Sequence, residues 1–596
     1  MSLEQYQIIR LLDQQVQTQQ DKIALEGFET AAPWDKVSWI QLKNITDQLA
    51  AALIDSGLEV QDRVAILSNN CPQWTCIDVA TIKARGVLVP IYPTSTLEQA
   101  AYIIRDAGAK VLCVANNEQY HLACKLQQLC PSLQQLIVFD NSVELISFSH
   151  FYLDKMISEE AGQPHPELQQ RLAQSQLDDL MTLIYTSGTT GDPKGVMLDQ
   201  RNIASAMRQH HQRVPFKRDQ VSLVFLPLSH VYERGWSFYV LSQGGRNVYL
   251  SDTHKVKEAL VAVKPDTVCV VPRFLEKVYS AVQDKLSKAP AFSRKLFAWA
   301  LAVGQRQFEA SQGRAKGSWW LKAQWLLANR IVYSKLHQAL GGNIKYMPCG
   351  GAALDPHVSA FFAAINVPLL VGYGMTETTA TVACCSPDNR VPGANGKPLD
   401  EVEVRLGTDN EILVRGDTVM RGYFNRPQDT AEVFEDGWLK TGDVGQLDAN
   451  GNLFITDRLK ELMKTSNGKY IAPQRVEGKV GCCPFIEQVA IIADARNYVT
   501  ALIVPAFEAL EAWAKQKGLS YESPVELIRH SQVLAHFDER LKQLQQGLAG
   551  FEQIKKFTLL PEAFSMEAGL ITPTLKLRRK MIYHRYANEI NAMYGH

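Results

Sequence analysis

The sequence predicts a multi-domain α/β protein, and three observations carry that prediction. The chain has 596 residues, more than one hydrophobic core usually serves, so roughly two to four domains or subdomains are expected. Apolar, β-prone runs alternate with helix-like segments over residues 1–180, a pattern that builds mostly parallel sheets. From about residue 402 the texture changes to short strands and turns. Taken in order, the strand candidates are 64–67, 87–92, 111–114 and 136–139, with helices at 49–54 and 97–104. A helix is expected over 202–213, then strands at 223–226, 248–250 and 268–271. A small antiparallel β unit is expected from 402–406, 411–414, 438–439 and 453–456, and a mixed α/β tail has strands at 489–493 and 501–504.

Composition excludes several classes. Hydrophobic residues are 46% and charged residues 21%, as in ordinary globular proteins. With 62 acidic and 62 basic side chains the net charge is +0, so the global basic excess of a nucleic-acid binder is missing and no nucleic-acid partner is expected. The first residues, Met-Ser-Leu-Glu-Gln-Tyr, do not read as a secretory signal, and no apolar run approaches the ~20 residues of a membrane span. The 11 cysteines are scattered, odd in number and without CxxC spacing. This argues against a disulfide framework and a zinc site and fits a reducing cytoplasm. The adjacent pairs Cys384-Cys385 and Cys482-Cys483 are expected to pack in cores.

Residues 281–340 are helix-prone and basic, with Trp299, Trp319, Trp320 and Trp325 interleaved. Such a region can lie peripherally on an anionic membrane surface, such as the inner face of a membrane. It can equally pack on the body as a helical insertion with a solvated basic face.

One stretch narrows the function most: Tyr185-Thr-Ser-Gly-Thr-Thr-Gly-Asp-Pro-Lys-Gly195. Thr186, Ser187, Thr189 and Thr190 bring hydroxyls, Gly188 and Gly191 permit close backbone approach, and Lys194 adds a mobile positive charge. Together they read as a phosphate grip. It is not a P-loop, because Gly195 follows Lys194 and the flanks are two apolar strands rather than a strand and a helix.

Four more segments follow in order: Cys349-Gly-Gly-Ala-Ala353, Gly372-Tyr-Gly-Met-Thr-Glu377, Thr441-Gly-Asp443 and Asp457-Arg-Leu-Lys-Glu461. With the glycine loop they resemble the adenylate-forming enzymes over nearly the whole chain. Further segments, Leu226-Pro-Leu-Ser-His-Val-Tyr-Glu-Arg234, 271–279 and 464–473, resemble the long-chain fatty acyl-CoA synthetase branch. The resemblance implies a large N-terminal adenylation domain over 1–457, with the helical insertion at about 281–340 and the β unit at about 400–457. It also implies a hinge at 458–460 and a small mobile α+β domain over 461–596.

The implied reaction activates a long-chain fatty acid with ATP and Mg²⁺ to acyl-AMP and pyrophosphate, then passes the acyl group to coenzyme A with release of AMP. The rivals are a fatty acyl-AMP ligase serving a carrier protein and a non-catalytic nucleotide- or fatty-acid-binding regulator. Glu377 is the implied magnesium carboxylate, with Thr186 beside it. Tyr373 would stack on adenine, while Gly351, Ala352 and Gly372 leave room, Gly374 is a further nucleotide-binding position and Thr376 reaches phosphate. Asp443 would bind the ribose, helped by Arg458, and Lys464 would contact the acyl-adenylate. Lys460 stands at the hinge, and the Gly468 loop would line the pantetheine channel. Lys576, in Thr572-Pro-Thr-Leu-Lys576, would be the catalytic lysine of adenylation. His230 would border the mouth of the acyl site. Gln200 stands where relatives carry histidine, a change expected to affect local capping. Acyl length and oligomeric state are not legible.

Overall fold

The computed structural model describes residues 2–157, 164–186, 192–459, 461–467, 469–572 and 576–595. The first core forms on an eight-stranded sheet whose strand order is Gly422–Tyr423, Lys194–Asp199, Leu180–Thr186, Val87–Ile91, Arg63–Leu67, Val111–Val114, Gln135–Val138 and His150–Tyr152. Its inner strands are parallel and buried on both faces, which is why they read as unbroken apolar runs. The antiparallel pair Leu180–Thr186 and Lys194–Asp199 flanks the glycine loop, with Thr186 opposite Lys194.

A second, five-stranded sheet has the order Thr267–Val268, Val221–Val224, Arg246–Tyr249, Ile23–Gly27 and Lys36–Ser38. A third runs Met347–Cys349, Leu369–Tyr373, Ala383–Cys384 and Lys397–Pro398. Helices Gln200–Arg213 and Val231–Ser242 are packed between sheets, and the latter is buried over most of its length. The strand expected at 268–271 is shorter in the structure, because Pro272 opens the helix Pro272–Ser287.

Gln200 does not cap its helix. Asp199 is the cap: its carboxylate accepts from Asn202 N (3.2 Å), and the Asn202 side chain accepts from Asp199 N (2.8 Å). Gln200 takes the first helical position and is buried.

The region 281–340 is a helical layer: Pro272–Ser287, Ala291–Ser311, Trp319–Ala328, a π turn at Asn329–Tyr333, and Ser334–Ala339. One face packs on the third sheet and on the helix Pro356–Ala364. The β unit pairs Glu403–Leu406, Glu411–Arg415, Trp438–Leu447 and Phe434–Glu435, with Leu453–Arg458 added along Trp438–Leu447. Beyond residue 460 the buried side chains form two clusters of their own around the sheet Ile486–Ile492, Val499–Pro505 and Ile554–Leu559. Cys384, Cys385 and Cys483 are buried, and Cys482 is partly buried.

Candidate active site

One cavity of about 1650 Å³ opens where the sheets, the β unit and the C-terminal residues meet. Among the described site residues it brings together Thr186, Lys194, His230, Gly351, Ala352, Gly372, Tyr373, Gly374, Thr376, Glu377, Asp443, Arg458 and Lys576. Ser187, Gly188, Thr189, Thr190, Gly191, Lys460 and Gly468 lie outside the described residues.

The two edges of the glycine loop are anchored. Tyr185 Oη donates to Asp106 (2.7 Å) and Tyr102 Oη to Pro193 O (3.1 Å). Lys194 pairs with the Asp429 carboxylate and lies over the Tyr423 ring at 5.2 Å. The lysine expected as a free phosphate cation therefore has a resting partner that a phosphate would have to displace.

The strand Leu369–Tyr373 delivers Tyr373 to the cavity wall. Its hydroxyl donates to Asp443 Oδ2 (2.7 Å), while Arg458 Nε donates to Asp443 Oδ1 (2.8 Å). Asp443 is held by its turn: Thr441 Oγ1 accepts from Asp443 N (3.1 Å), and Glu411 accepts from Gly442 N (2.9 Å). Each carboxylate oxygen keeps a second lone pair for a diol donor. Burial, the Asp443 charge beside it and the bond it donates hold the Tyr373 phenol well above its usual range, so it stays a neutral donor. Gly374 is bare for packing: a Cβ there would fall 2.1 Å from Ala380 O. Gly351, at φ +87°, takes a left-handed turn that favours glycine.

Glu377 sits in a short turn, Thr376–Thr378, and is 7% exposed. Tyr423 Oη donates to its Oε1 (2.8 Å), and Met420 N donates to its backbone carbonyl (2.8 Å). Among the described residues no three His, Cys, Asp or Glu side chains group as a metal cage. One aligned carboxylate plus the Thr186 hydroxyl fits magnesium, which takes few protein oxygens and fills its shell with water and phosphate.

Lys576 closes the cavity from the C-terminal side. Thr572 and Lys576 bond reciprocally, Lys576 N to Thr572 Oγ1 (3.1 Å) and Thr572 N to Lys576 O (2.8 Å). Lys576 is exposed, with its surface turned to the cavity. Desolvation, then the Arg458 charge, lowers its pKa below the ordinary lysine value, against the pull of Glu461, Asp443 and Glu377. His230 caps the helix Val231–Ser242, its Nδ1 accepting from Tyr232 N (3.2 Å). Burial, then the Lys576 charge, pushes its pKa down to about 4, so the ring is neutral at pH 7. Asp457, at the seam, is raised to about 6 by burial, with Glu461 and Glu552 adding to the rise. The structure does not bring Lys464 to the cavity; its ammonium lies over the Tyr470 ring at 5.5 Å.

A second limb of the cavity runs between helices Gln200–Arg213 and Val231–Ser242 and is lined by Ile203, Met207, Val214, Trp236 and Tyr239. Sequence reasoning missed this limb, and it missed Tyr423, Asp429 and Glu411. Glu411 and Asp429 are ordinary surface residue types, and Tyr423 comes near Glu377 only because Gly422–Tyr423 pairs with Lys194–Asp199. Strand register of that kind leaves no motif.

A buried carboxylate, an aspartate with lone pairs for a diol and a lysine around one cavity suit adenylation chemistry. The chain belongs to the AMP-binding enzyme family: that family's model matches residues 12–424, and the AMP-binding enzyme C-terminal domain matches residues 460–596. It is 34% identical to a long-chain-fatty-acid–CoA ligase of Mycobacterium bovis over 94% of this chain and 93% of the relative. It is 31% identical to long-chain-fatty-acid–CoA ligase 5 of Rattus norvegicus, over 94% of this chain and 85% of that one. Among solved structures it resembles the adenylation domain of a carboxylate reductase from Mycobacterium chelonae, at 25% identity and a TM-score of 0.77, covering 99% of this chain and 90% of that one. The corresponding domain from Segniliparus rugosus, in complex with AMP and a co-purified carboxylic acid, shares the fold at 22% identity and a TM-score of 0.76, covering 98% of this chain and 93% of that one.

Proposed function

We infer that this protein is an AMP-forming long-chain fatty acid:CoA ligase. The observation that carries the reading is one cavity in which an apolar limb meets Glu377, Asp443 and Lys576. A fatty acid carboxylate is a poor acyl donor because oxide is a poor leaving group. In the first half-reaction a carboxylate oxygen attacks the α-phosphorus of ATP, and the bond from that phosphorus to the pyrophosphate oxygen breaks. In the second, the sulfur of CoA attacks the acyl carbonyl carbon and the carbon–oxygen bond to AMP breaks. The thiol proton passes to solvent.

The protein's part is positioning and electrostatics. Asp443, set by Tyr373 and Arg458, holds the ribose, and Tyr373 presents its ring to adenine. Thr376 reaches phosphate, while Gly351, Ala352 and Gly372 leave space. The loop from Thr186 to Lys194 grips the phosphates that leave. Glu377 with Thr186 would hold magnesium, which when bound neutralises phosphate charge. Lys576 offsets the charge gathering between carboxylate and α-phosphate, and neutral His230 borders the acyl site. The division at 458–460, with Lys460 as hinge, lets the C-terminal residues withdraw Lys576 and admit CoA. In that second step the Gly468 loop would line the pantetheine channel. The reading suits a protein of the cytoplasm or of the inner face of a membrane.

The test is incubation with palmitate, ATP and CoA. Palmitoyl-CoA, AMP and pyrophosphate are the expected products. Accumulation of acyl-AMP without thioester would point instead to a ligase serving a carrier protein, and absence of fatty-acid-dependent pyrophosphate exchange to a non-catalytic regulator.

A further inference from the structure

The helix Trp319–Ala328 has an unusual surface. Its sequence is WWLKAQWLLA, yet only Ala328 is buried. Trp319 is 79% exposed, Trp320 60%, Leu326 54% and Leu327 50%, and Ile331 in the next turn is 40% exposed. Positions 319, 323, 326, 327 and 330 fall on one helical face. Trp325, Ala328 and Val332 form the opposite face and pack on the core. The outward apolar stripe is therefore not a misplaced core face, since the helix already has its core contact. Contiguous exposed apolar surface of this kind marks an interaction site.

The charge around the stripe is of one sign. From Ala310 to Leu354 the sequence has no Asp or Glu, while Arg314, Lys316, Lys322, Arg330, Lys335 and Lys345 are basic. Arg314 pairs with Glu309 and Lys345 with Asp266. Lys316, Lys322, Arg330 and Lys335 are exposed and form no ion pair among the described residues. A second copy of this face would set these cations against their own kind, so self-pairing is disfavoured. No helix among the described residues is long and apolar enough to cross a bilayer. A short apolar helix with tryptophans on its outer face, carrying Lys322 and flanked by Lys316 and Arg330, suits the interface, where indole rings sit among headgroups and basic side chains meet lipid phosphate.

We propose that the face of Trp319, Trp320, Leu326, Leu327 and Ile331, with Lys316, Lys322 and Arg330, docks the protein onto an anionic phospholipid surface. The surface stands on its own geometry and does not depend on the ligase reading. The test is co-sedimentation of the full chain with vesicles of phosphatidylcholine alone or mixed with phosphatidylglycerol, at low and high salt. The wild type should sediment with the anionic vesicles, and salt should weaken this. Trp319→Ser with Trp320→Ser should abolish binding to both vesicle types. Lys316→Gln, Lys322→Gln and Arg330→Gln together should remove the preference for phosphatidylglycerol, by about five-fold for each charge at low salt. Unchanged circular dichroism and unchanged pyrophosphate exchange with a short, water-soluble acid would show that both variants are folded. Equal sedimentation of wild type and tryptophan variant, or no preference for anionic vesicles, overturns the proposal. A concentration-dependent dimer abolished by the tryptophan substitutions overturns it in favour of self-association.

Discussion

Lys576 and His230 face each other across the cavity and illustrate how charge is arranged at single residues. The ammonium of Lys576 is destabilised by desolvation and by Arg458, so in the proposed adenylation it would gain most when negative charge builds on the α-phosphate. Lys576→Ala should reduce fatty-acid-dependent pyrophosphate exchange by about 10²–10³-fold, the usual effect of deleting one such group. Preformed acyl-AMP and CoA should still react, and equal loss of both half-reactions would contradict the role. His230 behaves oppositely in stability. Its folded pKa of about 4 lies below the unfolded value near 6.5. Its contribution is therefore complete above pH 6.5 and is lost as pH falls towards 4. With screening of a partly exposed ring, the loss is on the order of 2 kcal/mol. His230→Gln keeps an acceptor for Tyr232 N and should flatten that part of the melting-temperature profile, while leaving it unchanged above pH 7. Lys576 and Asp443 could be picked out as cavity residues because they sit in motifs with fixed neighbours. Tyr423 and Asp429 were not, because their importance comes from partners 46 and 235 residues away in sequence.

At the level of elements, the short strand Gly422–Tyr423, which follows Glu411–Arg415 in the chain, pairs with Lys194–Asp199 of the eight-stranded sheet and carries Tyr423 to Glu377. The bond is to a buried carboxylate, so Tyr423→Phe should cost about 1–3 kcal/mol. It should also raise the magnesium concentration needed for half-maximal exchange, since one restraint on Glu377 is gone. A stable variant with unaltered magnesium dependence would show that Tyr423 only packs. Elements whose burial follows from local pattern were readable in advance: the parallel strands as apolar runs, the two strands around the glycine loop, the β unit after residue 402. Capping was harder. The histidine-to-glutamine difference drew attention to position 200, yet the cap is Asp199, and the box with Asn202 closes without Gln200. The apolar limb between Gln200–Arg213 and Val231–Ser242 could not be read at all. Its lining residues belong to helices buried on several faces, and periodicity does not separate a wall of a void from a wall of a core.

For the whole molecule, the decisive contacts are those between the helical layer and the residues beyond 460. Arg273 donates to the backbone carbonyls of Gly481 (2.9 Å) and Glu487 (2.5 Å), and Lys277 pairs with Glu487 (3.1 Å). Ser280 Oγ donates to Cys482 O (2.7 Å), so residues 280 and 482 are side by side. These bonds hold the C-terminal part in the pose that places Lys576 in the cavity. They are polar bonds, part-buried at Gly481 and Cys482 and exposed at Glu487, the kind of seam that the proposed rotation could open more readily than a shared core. Rotation at 458–460 would have to break every one of them. Ser280→Cys offers a lock if the Cys482 thiol, which donates to Gly478 O (3.3 Å), turns to meet it. Oxidised, the variant should keep pyrophosphate exchange close to wild type and lose thioester formation, since Lys576 cannot leave the cavity. Reductant should restore palmitoyl-CoA synthesis. The variant Ser280→Ala, oxidised in the same way, should be unaffected in both half-reactions. Continued acyl-CoA synthesis by a fully cross-linked protein, verified by mobility on non-reducing gels, would mean that CoA reaches the adenylate without rotation, and the hinge at 458–460 would have to be abandoned.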